Sequence, residues 1–374
     1  MNYLIDGNAY INVAVNVVKK ILSKDRSIGD EYYMPDIFNE GRYMLKETSR
    51  IKFRDFCLNY LTSLISPVYN EVDEVHIVFD SKSWRKKYVK EHFQQEESID
   101  SEFEYKSGRK SDMIHLFFEY FQSEIQPHLE KKSGINFYRI EGMEGDDLIA
   151  FLHERSNRNT AIYTVDKDMI QLVNNSSSYT FLVMPKMMTR HKKLMYTEKQ
   201  SSDSIEVNDF FSLEETDISN GLDNILIKFE KKGYKRFNVD PTIELLTKIF
   251  GGDKSDSIPR IHKMTPSKVK KITNYLLEMY PDDLISRIDN SLNDESILDE
   301  CVSKMIEINK IKDQDTIVSL KDSLKLNIRL MRLSTKMIPT EVKQNAYSLI
   351  KENVSNRKFN FSKLIEIKNN SVLI

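Results

Sequence analysis

Acidic residues recur in this sequence at the ends of short apolar runs. Asp6 closes Tyr3-Leu4-Ile5, Asp80 closes the run from Val75 to Phe79, and Glu144-Gly145-Asp146-Asp147 follows the run from Asn136 to Ile140. Asp166 and Asp168 follow Ala161 to Val165, and a last pair, Asp253 and Asp256, lies in Gly251-Gly252-Asp253-Lys254-Ser255-Asp256. Glu144 and Asp147, three apart, fall on one side of a helix start. These nine carboxylates, gathered on one edge, would repel one another unless bound cations relieved the charge. Oxygen donors without His or Cys partners select hard ions such as Mg²⁺ or Mn²⁺. One Asp in such a place is ordinary helix capping, but independent caps do not require acids to recur at one segment end after another.

Basic residues follow the acids. Lys82, Arg85, Lys86, Lys87 and Lys90 come directly after Asp80 with no acid among them, and Lys106, Arg109 and Lys110 follow the acidic stretch from Glu96 to Glu104. Such a run is commonly a solvated helix face. Here its position would carry it over the acidic edge, where cations can neutralise phosphate charge. Arg85, Lys106 and Arg109 are the candidate phosphate contacts, with Lys86 and Lys87 beside them. Trp84, Tyr88 and Tyr105 are either base-stacking surfaces or packing residues. A second basic stretch, Lys254, Arg260, Lys263, Lys268, Lys270 and Lys271, follows the last acidic pair, and Thr265-Pro266-Ser267 is a good helix start that would aim Ser267, Lys268 and Lys271 at phosphates. Arg190 to Lys193 reads as a hairpin surface. The histidines show no ligand spacing, and no Gly-rich triphosphate loop occurs, so ATP hydrolysis is not supported.

The elements that must position these groups alternate. Apolar runs at Tyr3–Ile5, Val75–Phe79, Asn136–Ile140, Ala161–Val165 and Tyr179–Met184 read as strands, and Phe53–Ile65, Met113–Leu129 and Asp147–Glu154 carry helical spacing. Strand alternating with helix predicts an α/β fold, a parallel sheet with helices on both faces and right-handed connections. Ligands in such sheets bind beyond the carboxyl ends of the strands, where the acids lie. After about Met188 the chain turns polar and helix-rich: Leu213 to Lys235 reads as charged and mostly helical, and Thr242–Phe250 as a helix ended by Gly251-Gly252. Lys199–Glu206 and Asn290–Glu295 read as linkers, and Ser323–Leu333 and Val342–Glu352 as helices packing back on the sheet.

At these residues the sequence resembles the 5′ nuclease family, which includes flap endonucleases, the 5′ nuclease domains of bacterial DNA polymerases and the RNase H of T-even phages. The matching pieces are Leu4-Ile5-Asp6-Gly7-Asn8, Phe79-Asp80, Trp84-Arg85, Tyr105-Lys106-Ser107-Gly108-Arg109, Glu144-Gly145-Asp146-Asp147, Asp166-Lys167-Asp168 and Gly252-Asp253-Lys254-Ser255-Asp256, in the family's order. The resemblance implies a PIN-like, Rossmann-like nuclease domain over 1–198 with a helical arch at about 81–112. It further implies a helix-three-turn-helix DNA-binding region with an insertion over 199–285, and a helical region over 286–374. It implies one metal among Asp6, Asp80, Glu144 and Asp146 with Asp147 close by, and a second among Asp166, Asp168, Asp253 and Asp256. The implied activity is two-metal hydrolysis of phosphodiesters at 5′ flaps, nicks or RNA–DNA junctions, in a phage-type replication enzyme without a polymerase domain. Two features depart from the family: Arg85 and Tyr105 stand farther apart, and the turns from Ser257 to Ser267 lack the usual glycines. Asn8, where an aspartyl-phosphate phosphatase has its second Asp, disfavours that chemistry. A scaffold of the same fold that has lost catalysis would lack ligands, and none of the nine is missing.

Composition agrees with a folded protein. Of 374 residues 40% are hydrophobic, with 18 Tyr and 19 Phe, too many aromatics for a disordered chain. Cys57 and Cys301 form no Cys-x-x-Cys pair, which fits a reducing cytoplasm and excludes a zinc ribbon. No signal segment or long apolar run is present, so a cytoplasmic monomer without a membrane partner is expected, with a single-strand binding protein or clamp as conceivable partners. A net charge of −2 looks wrong for a phosphate binder, but setting aside the nine site carboxylates leaves the remainder at +7.

Overall fold

The computed structural model describes residues 1–23, 32–36, 42–66, 69–70, 72–92, 114–173, 180–184, 225–230, 233–238, 240–353 and 358–370. Strand β1 (Asn2–Asp6) is flanked by β4 (Glu74–Val78) and β6 (Thr160–Tyr163), both parallel to it. The sheet continues through β5 (Asn136–Tyr138) on one side and through β7 (Thr180–Met184), β8 (Ile225–Glu230) and β9 (Gly233–Asn238) on the other, in the order β5-β4-β1-β6-β7-β8-β9. Only β9 runs antiparallel to its neighbour. A small ribbon of β2 (Tyr33–Pro35) and β3 (Tyr43–Leu45) stands apart. The α/β fold expected from the alternation is present. The stretch from Leu213 to Lys235, read above as mostly helical, instead holds β8 and the start of β9. Ile225-Leu226-Ile227 and Tyr234 with Phe237 are β-favouring residues whose short runs the surrounding charges obscured.

Helices cover both faces, which explains why β1 is apolar on both sides: Tyr3, Leu4 and Ile5 are all buried. On one face α1 (Gly7–Leu22) and α2 (Glu47–Ile65) pack with α4 (His115–Tyr120) and α5 (Gln126–Ser133) around Tyr10, Phe53, Phe117 and Phe121. Between α4 and α5 one wide helical turn, Phe121–Ile125, precedes Pro127. On the other face α6 (Gly145–Glu154) and the 3₁₀ turn Lys167–Leu172 cover Leu4, Val78 and Ile162. Helix α3 (Trp84–His92) leads away from β4.

The remaining helices are α7 (Pro241–Gly251), α8 (Pro266–Met279), α9 (Leu284–Asn290), α10 (Ser296–Asn309), α11 (Gln314–Met331), α12 (Thr340–Asn353) and α13 (Phe361–Asn369). Residues from Leu245 to Met337 share one apolar core, which also takes Val89 from α3. That core crosses the 285/286 boundary expected between two regions, so α7 to α11 form one helical unit. Most of the 323–333 segment packs in this unit, α12, through Ala346 and Ile350, joins the cluster of α6 on the sheet domain, and α13 packs on α2 and α5 through Leu364.

The turn joining α7 to α8 is tight. Asp253 and Ile258 exchange backbone hydrogen bonds of 3.0 and 2.8 Å, and Gly252 sits at φ 67°. A Cβ on Gly252 would meet Ile258 O and Arg260 N at 2.6 Å, whereas a Cβ on Gly251 would meet nothing within 4 Å. Gly252→Ala should therefore destabilise the protein by about 1–3 kcal/mol in chemical denaturation, with Gly251→Ala near neutral; equal effects would show that the close approach is not what holds this turn.

Candidate metal centre and its counter-charges

Parallel register puts the ends of β1, β4 and β6 side by side: Asp6 lies opposite Val78, two residues before Asp80, and Ile5 lies opposite Tyr163, three before Asp166. Each acid there also does structural work. Asp6 caps α1, one oxygen accepting from Ala9 N at 2.9 Å and the other from Thr164 Oγ1 at 2.9 Å. Asp80 caps α6 from another segment, Oδ1 accepting from Gly145 N at 2.7 Å, and its second oxygen accepts from the Asn8 side-chain amide. The Cβ of any other residue at 145 would lie 3.0 Å from that Asp80 oxygen, hence the glycine. Asp166 caps the 3₁₀ turn through Asp168 N at 2.9 Å. Capping and clustering coexist because a carboxylate carries more acceptor sites than one cap uses.

Like charge accumulates as a result. Burial, first, and then the neighbouring Asp80 and Asp166 push the Asp6 carboxyl up to about 7, against the opposing hydrogen bonds from Ala9 and Thr164. Glu144, at the N-cap of α6, is buried, and Asp146 in the first turn is half-buried. Asp256 is half-buried in the 252–258 turn.

Two cations take the flanks of this cluster. Arg85 is 1% exposed, and its guanidinium grips both oxygens of Asp147 at 2.6 and 2.7 Å, reaches Glu144 at 3.3 Å and donates from Nε to Leu330 O at 3.1 Å. The Trp84 indole N–H donates to Asp147 at 2.9 Å as well. Two expectations change here. Asp147, buried at 1% exposure, is ion-paired to Arg85 instead of standing open beside the other acids, and Arg85 is engaged with Asp147, Glu144 and Leu330 O instead of with solvent where a phosphate would come. Trp84, 4% exposed, cannot serve as a base-stacking platform. On the opposite flank Lys248 of α7 contacts Asp168 and lies 3.1 Å from Asp253. Burial works against the Asp253 charge, but Lys248 and Ser255 outweigh it and hold that carboxyl below its ordinary value. Among the described residues no three carboxylate, imidazole or thiol groups converge into a ready-made metal sphere.

The donors nonetheless fit a hard divalent ion. They are all oxygens, and Asn8 Oδ1 is buried with no hydrogen-bond partner while its amide nitrogen serves Asp80. An acceptor without a donor, beside carboxylates that repel one another, is what an oxygen-ligated cation satisfies. Lys248 already answers the same need for Asp168 and Asp253.

Lys106 and Arg109, with Tyr105, lie outside the described residues, as does the stretch from Arg190 to Lys193. Lys86 and Lys87 are exposed on α3, and Tyr88 packs edge-on to Trp84 with ring centroids 6.1 Å apart. Ser267 and Lys271 are exposed on the first turns of α8, while Lys268 donates to Asn309 at 2.7 Å. Sequence reasoning missed Asn8 as a partner of Asp80, Thr164 as a partner of Asp6 and Lys248 as a counter-charge. A polar residue just past a buried strand could have flagged Thr164, and a basic residue one helical turn before Gly252-Asp253 could have flagged Lys248.

Residues 43–205 match the 5′-3′ exonuclease N-terminal resolvase-like domain. No curated protein matches the chain. Among solved structures, the chain is similar to the T5 D15 protein co-crystallised with metal ions, at 12% identity and TM-score 0.45, covering 94% of this chain and 98% of that one. It is similar to the T5 5′-exonuclease with bound zinc at 14% identity and TM-score 0.45, covering 94% and 99%. It is also similar to the catalytic core of Rad2 in complex with DNA substrate at 13% identity and TM-score 0.35, covering 98% and 90%.

Two outcomes check this charge arrangement. Arg85→Met, which strands Asp147 in the core, should cost about 3–5 kcal/mol in chemical denaturation; a loss within about 0.5 kcal/mol, as for a surface change, would contradict the buried pair. For Asp6, a folded pKa raised from 3.8 to about 7 means its contribution to stability is complete below about pH 4 and lost as pH rises through about 7. In EDTA, Asp6→Asn should thus melt increasingly above wild type between pH 5 and pH 8, and a difference that is flat with pH would refute the crowding of charge at this edge.

Proposed function

Starting from a chain that carries a 5′-3′ exonuclease N-terminal resolvase-like domain over residues 43–205, we propose that the protein is a divalent-metal-dependent 5′ nuclease acting on flaps, nicks or RNA–DNA junctions. The observation that carries this reading is the gathering of Asp6, Asp80 and Asp166 at neighbouring strand ends, where burial and like charge raise the Asp6 carboxyl, beside an orphan acceptor on Asn8. Asp6, Asp80, Glu144 and Asp146 would hold one ion, and Asp166, Asp168, Asp253 and Asp256 a second. Mg²⁺ or Mn²⁺ bound there would supply Lewis acidity toward a phosphodiester and lower the pKa of a water.

The chain's own groups account for the rest. Asn8 and Gly145 N each donate to one oxygen of Asp80 and so fix the orientation of its carboxylate. Thr164 and Ala9 N do the same for Asp6. Lys248 draws Asp168 and Asp253 together across the gap between the 3₁₀ turn and α7. Lys86 and Lys87, with Lys106 and Arg109, would meet the phosphates of the 5′ strand. Ser267 and Lys271, with Lys268, would meet the duplex backbone at the start of α8, where helix-terminal N–H groups also favour anions.

The test is cleavage of a labelled 5′-flap duplex in Mg²⁺. Wild type should cleave, and Asp80→Asn and Asp146→Asn should each lose more than the roughly 10–100-fold typical of outer-shell changes. Cleavage unchanged in both variants would overturn the reading. Flap binding without cleavage in any divalent metal would leave a nucleic-acid-binding scaffold of the same fold.

A further inference from the structure

A cavity of about 1150 Å³ opens beside the acidic edge, and its walls include Asp80, Glu144, Lys82, Lys86, Trp84 and Arg329. Arg329 comes from α11, far outside the stretch matched by the nuclease-domain family. Its guanidinium lies 5.0 Å from the Trp84 ring and 5.2 Å from the Tyr88 ring. It is half-buried, yet no carboxylate pairs with it among the described residues, and its Nε is buried without any hydrogen-bond partner.

That arrangement is costly as it stands. Arg85 adds like charge against it, and the carboxylate that favours its charge, Asp147, already has both oxygens occupied by Arg85 and Trp84. Burial also weighs against the Arg329 charge. The position is nevertheless fixed: Arg85 Nε holds the carbonyl of Leu330, the next residue along α11. Aromatic rings against a guanidinium stabilise it while leaving its in-plane N–H groups for a ligand. The ligand that suits such a fork is a group with two oxygens and a negative charge, and the fork opens into the same cavity as Asp80.

We propose that Arg329 is a phosphate-binding residue of this cavity, held by the Trp84–Tyr88 ring pair and by the Arg85–Leu330 bond, and that it contacts phosphate oxygens of the nucleic-acid strand next to Asp80. The assignment rests on the nuclease reading and deepens it, since it makes the helical unit, through α11, part of the substrate site. The phosphate is either the terminal group at a 5′ end or an internal phosphodiester, which present the same oxygens.

The experiment measures binding of a 5′-flap duplex by fluorescence anisotropy in EDTA, where cleavage cannot occur, over a series of salt concentrations. Arg329→Met keeps the apolar stem against Trp84 and removes the charge; Arg329→Lys keeps a charge but not the fork. Arg329→Met should bind about tenfold or more weakly, with the slope of log affinity against log salt smaller by about 0.7–0.9, while its melting temperature stays near that of wild type. Arg329→Lys should recover the salt slope and only part of the affinity. A loss seen with 5′-phosphorylated and not with 5′-hydroxyl flaps assigns the terminal phosphate, and an equal loss with both assigns an internal one. Wild-type binding by Arg329→Met overturns the inference while leaving the nuclease reading intact. A wild-type protein that neither binds nor cleaves the flap overturns both.

Discussion

Like charge crowded onto one sheet edge is the constraint that the rest of the structure answers. Parallel pairing of β1 with β4 and β6 forces Asp6, Asp80 and Asp166 into neighbouring positions, because register leaves each strand ending within a few residues of the others. Separating them would require breaking the apolar centre of the sheet, Tyr3, Ile5, Val75 and Ile77, all fully buried. The fold therefore holds the acids together, and the surplus charge has to be met by cations, by hydrogen-bond donors or by protonation.

Each of those answers is visible, and each ties the site to a different part of the chain. Arg85 satisfies Asp147 and Glu144 and at the same time fastens α3 to the end of α11 through Leu330. Lys248 satisfies Asp168 and Asp253 and so fastens α7 to the 3₁₀ turn after β6. Backbone donors at helix starts take Asp6, Asp80 and Asp166. The sheet and the helical unit are thus joined in part through charges that belong to the acidic edge, beside the Gln171 bonds to Met331 O and Leu333 N. The middle of the cluster, Asp6 with its raised carboxyl and Asn8 with its orphan oxygen, is what these fixed partners leave unanswered.

Much of this was legible in the sequence because it depends on local pattern. Apolar runs that end at Asp6, Asp80 and Asp166 announce parallel strands and their acidic ends together, and Gly251-Gly252 announces the close of α7. What was not legible depends on partners distant in the chain. Nothing local marks Arg85 as the mate of Asp147, 62 residues away, and not as one more cation of a surface run. The place of Lys248 one helical turn before Gly252-Asp253 hints at Asp253, but its pairing with Asp168, 80 residues away, exists only once α7 packs on the turn that holds that residue. The β8–β9 pair was missed for a related reason: its apolar runs are short and interspersed with Lys, Arg and Glu, and pairing with β7 supplies what their own pattern does not.

If divalent cations meet the charge gathered at this edge, they bind in the middle of the acidic cluster, beside Asp6 and Asn8. Crystals of the full chain grown with Mn²⁺ and measured for anomalous scattering test this directly. A peak is expected at bonding distance from Asp80 and from at least one of Asp6, Glu144 and Asp146. No peak at saturating Mn²⁺, or peaks only at sites away from that edge, would contradict it.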